Sequence, residues 1–178
     1  MRWCGLMLLV GCAPTTDEVV ASVRSENPVV REDWAAEAAK HTEPEVVEAL
    51  VAVLGDSSDR VRLAAVASLA QINDKAAIPA LIQRIREDHN PKVREAAADA
   101  LGRMRATEAA PDLLAFSVTF SPDDQGQLVG LWALGHVGAE LPEPEQRTAI
   151  RDFLVARREQ TTDKYVRFNS TTALRELQ

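Results

Sequence analysis

Few residues in this chain combine chemical reactivity with a spacing that would use it. The histidines, His41, His89 and His136, fall in different parts of the chain and form no i, i+3 or i, i+4 pair of the kind that grips a metal ion. No Gly-x-Ser-x-Gly elbow, phosphate-cradling glycine loop or His-Glu-x-x-His helix is present. The carboxylates are numerous but sit where helix caps and solvent faces belong, not within an apolar pocket that would retune them. The expectation is no catalytic residue, no metal, no cofactor and no enzymatic activity. The formal charge of −7 comes without a basic block or stripe, so nucleic acid is not expected as a partner.

The charged residues that do recur are Asp56 with Arg62 and Asp88 with Arg94. An arginine in the first turn of a helix faces the positive end of the helix dipole, at a cost of some tenths of a kcal/mol. Its recurrence implies a partner that outweighs this. Asp56 and Asp88 sit where successive units begin and are expected to pair with Arg62 and Arg94, a structural ladder between stacked repeats.

The elements that position these residues repeat with the same period. Val61-Arg62 returns as Val93-Arg94, Leu69 as Leu101, Pro79 as Pro111 and Leu81 as Leu113, each at an offset of 32. Val30-Arg31 precedes Val61-Arg62 by 31, and Ala133-Leu134-Gly135 follows Ala100-Leu101-Gly102 by 33. Val166-Arg167 opens a last unit. Within a unit, Val61, Ala65, Leu69 and Ile72 mark one helical face, and Ile78, Leu81, Ile82 and Ile85 mark the next. The pattern predicts helices over 29–41, 44–54, 59–72, 75–87, 91–104, 107–119, 123–137, 143–158 and 163–177, and leaves a short helix within 17–25 open. Aromatic content of 4% suits close-packed helices better than a sheet sandwich. Trp34 and Trp132 fall on helical faces, as core or groove wall.

The segments Asp56…Val61-Arg62-Leu63-Ala64-Ala65…Ser68-Leu69 and Asp88…Val93-Arg94-Glu95-Ala96-Ala97…Ala100-Leu101-Gly102 resemble the HEAT-repeat family, in particular its short-period, phycobilisome-lyase-like type. The resemblance covers about residues 26–178. It implies an all-α, right-handed α-α superhelix, a HEAT-type solenoid of about four and a half helical-hairpin repeats.

The N-terminus reads differently. Arg2, an apolar run over residues 3–10 and a small residue before Cys12 describe a secretory signal. Leu9-Val10-Gly11-Cys12 resembles the bacterial lipobox, which implies cleavage before Cys12 and lipidation of its sulfur. Cys4 would leave with the signal, so no disulfide is expected. The expected organisation is a signal peptide over 1–11, a lipidated N-terminus and linker over 12–28, and a HEAT-repeat domain over 29–178. The linker would reach at most about 50 Å if extended. The expected location is the cell envelope, lipid-anchored to a membrane; Ala13 after the cysteine implies the periplasmic side of the outer membrane in a Gram-negative host.

Two breaks in the repeat single out a binding region. Gly126-Gln127 stands where Val-Arg is expected, and the fourth unit carries about eight extra residues, assigned to a stiff acidic connector over 138–145. In the third unit Phe116, Val118 and Phe120 replace Arg84, Arg86 and Asp88, and Ser117 replaces Ile85. The two phenylalanines either anchor a partner from an exposed position or pack against a displaced fourth unit. Second helices line the concave face of a HEAT solenoid, so Gln83, Arg84, Phe116, Phe120 and Arg157 are the candidate partner contacts. The leading expectation is a lipid-anchored scaffold or adaptor that holds another protein. Its alternatives are a lyase or isomerase like the phycobilin-handling members of the family and a structural subunit of an envelope complex.

Overall fold

A computed structural model describes residues 13–119 and 125–177. Among them are ten α-helices and no strand: α1 (Thr16–Val23), α2 (Pro28–Glu37), α3 (Pro44–Val53), α4 (Asp59–Ile72), α5 (Ile78–Glu87), α6 (Pro91–Arg103), α7 (Ala110–Val118), α8 (Gln125–Glu140), α9 (Pro144–Gln160) and α10 (Lys164–Glu176). The starts are written in the sequence. Thr15 and Glu18 form a reciprocal capping box on α1, and Asn27 and Asn90 cap α2 and α6 ahead of a first-turn proline. Each satisfies a backbone N–H that the helix cannot. Short 3-10 turns at Lys75–Ala77 and Thr107–Ala109 lead into α5 and α7, inside the ranges expected to be helical.

The even-numbered helices α2, α4, α6, α8 and α10 stack in chain order as one layer, and each odd-numbered helix packs on the even-numbered one that follows it. The core lies between the layers. Its repeating anchors are Leu50, Leu81 and Leu113 from one layer and Leu69, Leu101 and Leu134 from the other, all fully buried. Burying one such side chain contributes about 1.5–3 kcal/mol, so the period that identified the units is also the period of their cohesion.

Two expectations change. Within 13–28, assigned to a linker, α1 forms and buries Val19 and Val23 completely against α2 and α3. Among the described residues the helical unit therefore starts at Thr16, and Thr16–Val23 is helix in place of an extended spacer. The extra residues of the fourth unit do not form a long acidic loop: α8 runs to Glu140 and α9 starts at Pro144, with 16 and 17 residues respectively. The insertion lengthens two helices, and buried Leu141 pins the tight turn between them. No helix among the described residues is long and apolar enough to cross a membrane.

Candidate functional site: an arginine ladder and the groove at its end

The Asp–Arg ladder exists, but its register differs from the expected one. The Arg62 guanidinium donates from Nε and Nη2 to the two oxygens of Asp88, at 2.8 and 2.9 Å. Arg31 holds Asp56 in the same way, at 2.5 and 3.0 Å. Asp56 does not take Arg62, and Asp88 does not take Arg94. Arg31 and Arg62 reach forward to the next unit's aspartate, while Nη1 of these two and of Arg94 reaches back to a backbone carbonyl six residues earlier. Arg31 thus donates to Ser25 O, Arg62 to Asp56 O and Arg94 to Asp88 O. Each aspartate also accepts a backbone N–H two residues on, from Ser58 and from Asn90, closing the turn before its helix. Arg31 was legible as part of Val30-Arg31 but was not read as a rung.

The electrostatics follow from this geometry. The Arg31 hydrogen bond, opposed by partial burial and helped by the Ser58 N–H, holds the Asp56 carboxyl below its ordinary range. At Asp88 burial pushes upward, yet the Arg62 hydrogen bond, the Asn90 N–H and the Arg62 and Arg84 charges together hold the carboxyl below its usual value. Arg62 and Asp88 are both within a few per cent of complete burial. Such a pair persists because both ions are fully hydrogen-bonded.

Beyond Arg94 the ladder changes character. Gln127 stands in the next arginine position and is buried. Its Nε2 lies 3.5 Å from Ser117 O. Thr161, buried, takes the place of the next aspartate: its Oγ1 accepts the Asp163 N–H as Asp56 and Asp88 accept theirs. Two neutral side chains thus stand where an ionic rung would, and Gln127 Oε1 is buried without a hydrogen-bond partner among the described residues. Arg94 itself makes one hydrogen bond among the described residues, to Asp88 O, and no carboxylate among them meets its remaining N–H groups.

Arg94 opens on a groove of about 360 Å³ between α5, α6 and α7, whose walls include Ile85, Arg86, Asp112, Phe116 and Thr119. Arg86 is neutralised there by a two-point pair with Asp112, at 2.5 and 2.9 Å. This pair raises the arginine above its already high ordinary value.

The candidate contacts scatter. Phe116 is only 4% exposed and belongs to the core, so it is not an exposed anchor. Its neighbour Ser117 is buried against Gly130, where any side chain would collide with the serine hydroxyl. This small pair brings α7 close to α8 and draws Phe116 inward. Phe120, like Cys12 and the 1–11 segment, lies outside the described residues. Gln83 is exposed and donates to Glu87. Arg84 lies within 4.0 Å of Glu87 and 3.8 Å of Asp88, and Arg157 stacks 5.2 Å over the Phe153 ring. None of these three lines the groove. Arg86, Arg94, Asp112 and Thr119 do, and sequence reasoning passed over them as candidate contacts. The signal that could have found them is the loss of an acid in register with Arg94: an offset of 32 from Asp88 gives Phe120 and an offset of 33 gives Ser121. The histidines remain apart: His41 lies beside Glu43, His89 beside Arg62, and His136 donates from Nδ1 to Trp132 O.

A two-layer stack of helical hairpins tied by an internal Asp–Arg ladder defines a helical repeat protein. The model of HEAT repeats matches residues 16–102 and, overlapping, 47–135. The chain belongs to the HEAT-repeat family. No curated protein matches it in sequence. Among solved structures it is similar to a chain in the complex of CpcE and CpcF of phycocyanin lyase from Nostoc sp. PCC7120, with 26% identity and a TM-score of 0.74. The match covers 94% of this chain and 66% of the other. This likeness overturns the expectation that the chain is no enzyme, because a fold of this kind serves in a lyase complex. Missing motifs exclude only chemistries that carry a local motif, and a solenoid can assemble a site from separate units or with a partner.

Proposed function

We propose that this chain is a lyase-related HEAT-repeat subunit that acts by holding a second protein along the groove between α5, α6 and α7. The observation that carries the reading is that groove: it opens where the internal ladder loses its acid, and Arg94 stands at its edge. The likeness to a phycocyanin lyase chain that is itself in a complex with another protein supports a partner and supports lyase-related work. A HEAT solenoid offers an extended surface suited to a protein rather than a deep pocket suited to a small molecule. The tether belongs to the same proposal: lipid on Cys12 would confine the groove to a membrane surface in the cell envelope.

The test is site-specific photocrosslinking in the native host. A photoreactive residue at Ala115, exposed beside the groove, is expected to trap one protein stoichiometrically, and the same residue at exposed Ala67 on α4 is not. Equal capture from both positions, or from neither, removes the reading. Visible absorbance copurifying with the trapped complex supports the lyase-related part, and a colourless complex removes it. Radiolabelled fatty acid that enters the wild-type chain and not Cys12→Ser tests the tether.

A further inference from the structure

We propose that Arg94 is an open rung of the ladder, a socket that takes a carboxylate from the partner protein. The inference rests on the protein-binding reading above and names its chemistry. Two rungs of the same construction are filled, Arg31 by Asp56 and Arg62 by Asp88, each through Nε and Nη2. Arg94 makes the same backward bond to a carbonyl, which fixes the guanidinium in the same attitude. The acid that should follow in register is Phe120 or Ser121, neither of them ionisable as a carboxylate. A groove of about 360 Å³ opens beside Arg94. The other arginine in its wall, Arg86, is occupied by Asp112, so Arg94 is the cation in that wall with no carboxylate among the described residues.

A planar guanidinium fork with two parallel N–H groups takes an oxyanion at two points, and in both filled rungs that oxyanion is a carboxylate. The chain's net charge of −7 repels a polyanion, which argues for one acidic side chain, not an acidic tract. Ala115, exposed in the same wall, leaves room for apolar atoms beside that acid. The occupant is therefore a single Asp or Glu of the partner, flanked by apolar residues, docking as the next unit's aspartate would.

The experiment titrates the ¹⁵N-labelled full chain with acetyl-aspartyl-amide and follows the Arg94 Nε–Hε resonance and the Ala115 and Thr119 amides. Saturable shifts are expected, with the buried Arg62 Nε–Hε unmoved. Arg94→Lys keeps the charge and loses the fork, and is expected to weaken binding about ten-fold with the thermal melt unchanged. No shift, equal affinity in the lysine variant, or tighter binding of inorganic phosphate would overturn the socket. So would binding that appears only in the Asp123→Asn, Asp124→Asn double variant, because the fork would then be filled from within the chain. Crosslinked capture at Ala115 separates the two proposals. Capture undiminished by Arg94→Lys removes the socket alone, whereas a chain that binds the amide but traps no protein removes the partner reading and the socket with it.

Discussion

A buried arginine is expensive to strand. Arg62 donates to both oxygens of Asp88 and to Asp56 O. Removing it leaves a buried carboxylate and a buried carbonyl without their donor. Arg62→Ala is therefore expected to lower unfolding free energy by about 3–5 kcal/mol, measured by urea denaturation. Arg86→Ala removes a pair whose arginine is mostly exposed, and its expected cost is much smaller. Similar losses for the two would mean that burial does not set the value of a rung. The recurrence of Asp and Arg was legible in the sequence because both types return with the leucines. Which arginine meets which aspartate was not legible. A periodic pattern is unchanged when all its pairings slip by one unit, and only the backward bond to the carbonyl fixes the direction of the fork.

At the scale of helices, close approach in the even-numbered layer depends on residues without side chains. A Cβ on Gly135 would lie 2.7 Å from Ala173 Cα, and one on Gly102 would lie 2.8 Å from Ala133 Cα. Alanine is a better helix former than glycine by about 1 kcal/mol, but here the obstacle is backbone of the neighbouring helix and cannot swing away. Gly135→Ala is expected to destabilise by about 1–3 kcal/mol despite its propensity gain. Gly55, whose added Cβ would meet only Ala52 O at 3.7 Å, provides the contrast. Gly55→Ala is expected to be neutral or to stabilise by about 0.4–1 kcal/mol. Thermal melts of the two variants moving in the same direction would refute the packing argument. The helices themselves were readable from period and caps, as was the stacking of units. The fate of the insertion was not: Pro142 and Pro144 signalled a connector, but the burial of Leu141 that lets α8 continue to Glu140 is a tertiary contact. The sequence leaves Phe116 open between an exposed anchor and a packed one for a related reason, since its burial follows from the Ser117–Gly130 contact across two units.

For the molecule as a whole, the ladder places its two ionic rungs on one side of the stack, between α2 and α6. The Asp56 and Asp88 carboxyls are held below their ordinary range in the folded state. A carboxylate depressed by folding contributes stability that is fully present above its unfolded pKa of about 3.9. That contribution is lost as the pH falls through the lower folded value. These two rungs tie α2 to the turn before α4, and α4 to the turn before α6. At the matching positions on α8 and in the turn before α10 stand Gln127 and Thr161, which do not titrate and are not bonded to each other. Each unit of a helical repeat contacts chiefly its neighbours, so stability is a sum of local terms and need not be lost everywhere at once. Lowering the pH from 7 toward 3 is expected to cost amide protection first in α2, α4 and α6. The even-numbered helices on the far side, α8 and α10, should keep theirs to lower pH. Hydrogen exchange read by mass spectrometry on peptides from each helix resolves the order. In Arg62→Met, Asp88→Leu, which replaces one ionic rung with apolar contact, the loss in α4 and α6 should move to lower pH while α8 and α10 stay unchanged. Simultaneous loss of protection throughout the wild-type stack would mean that the units open as one, and that replacing the ionic pair by Gln127 and Thr161 confers no separate acid tolerance.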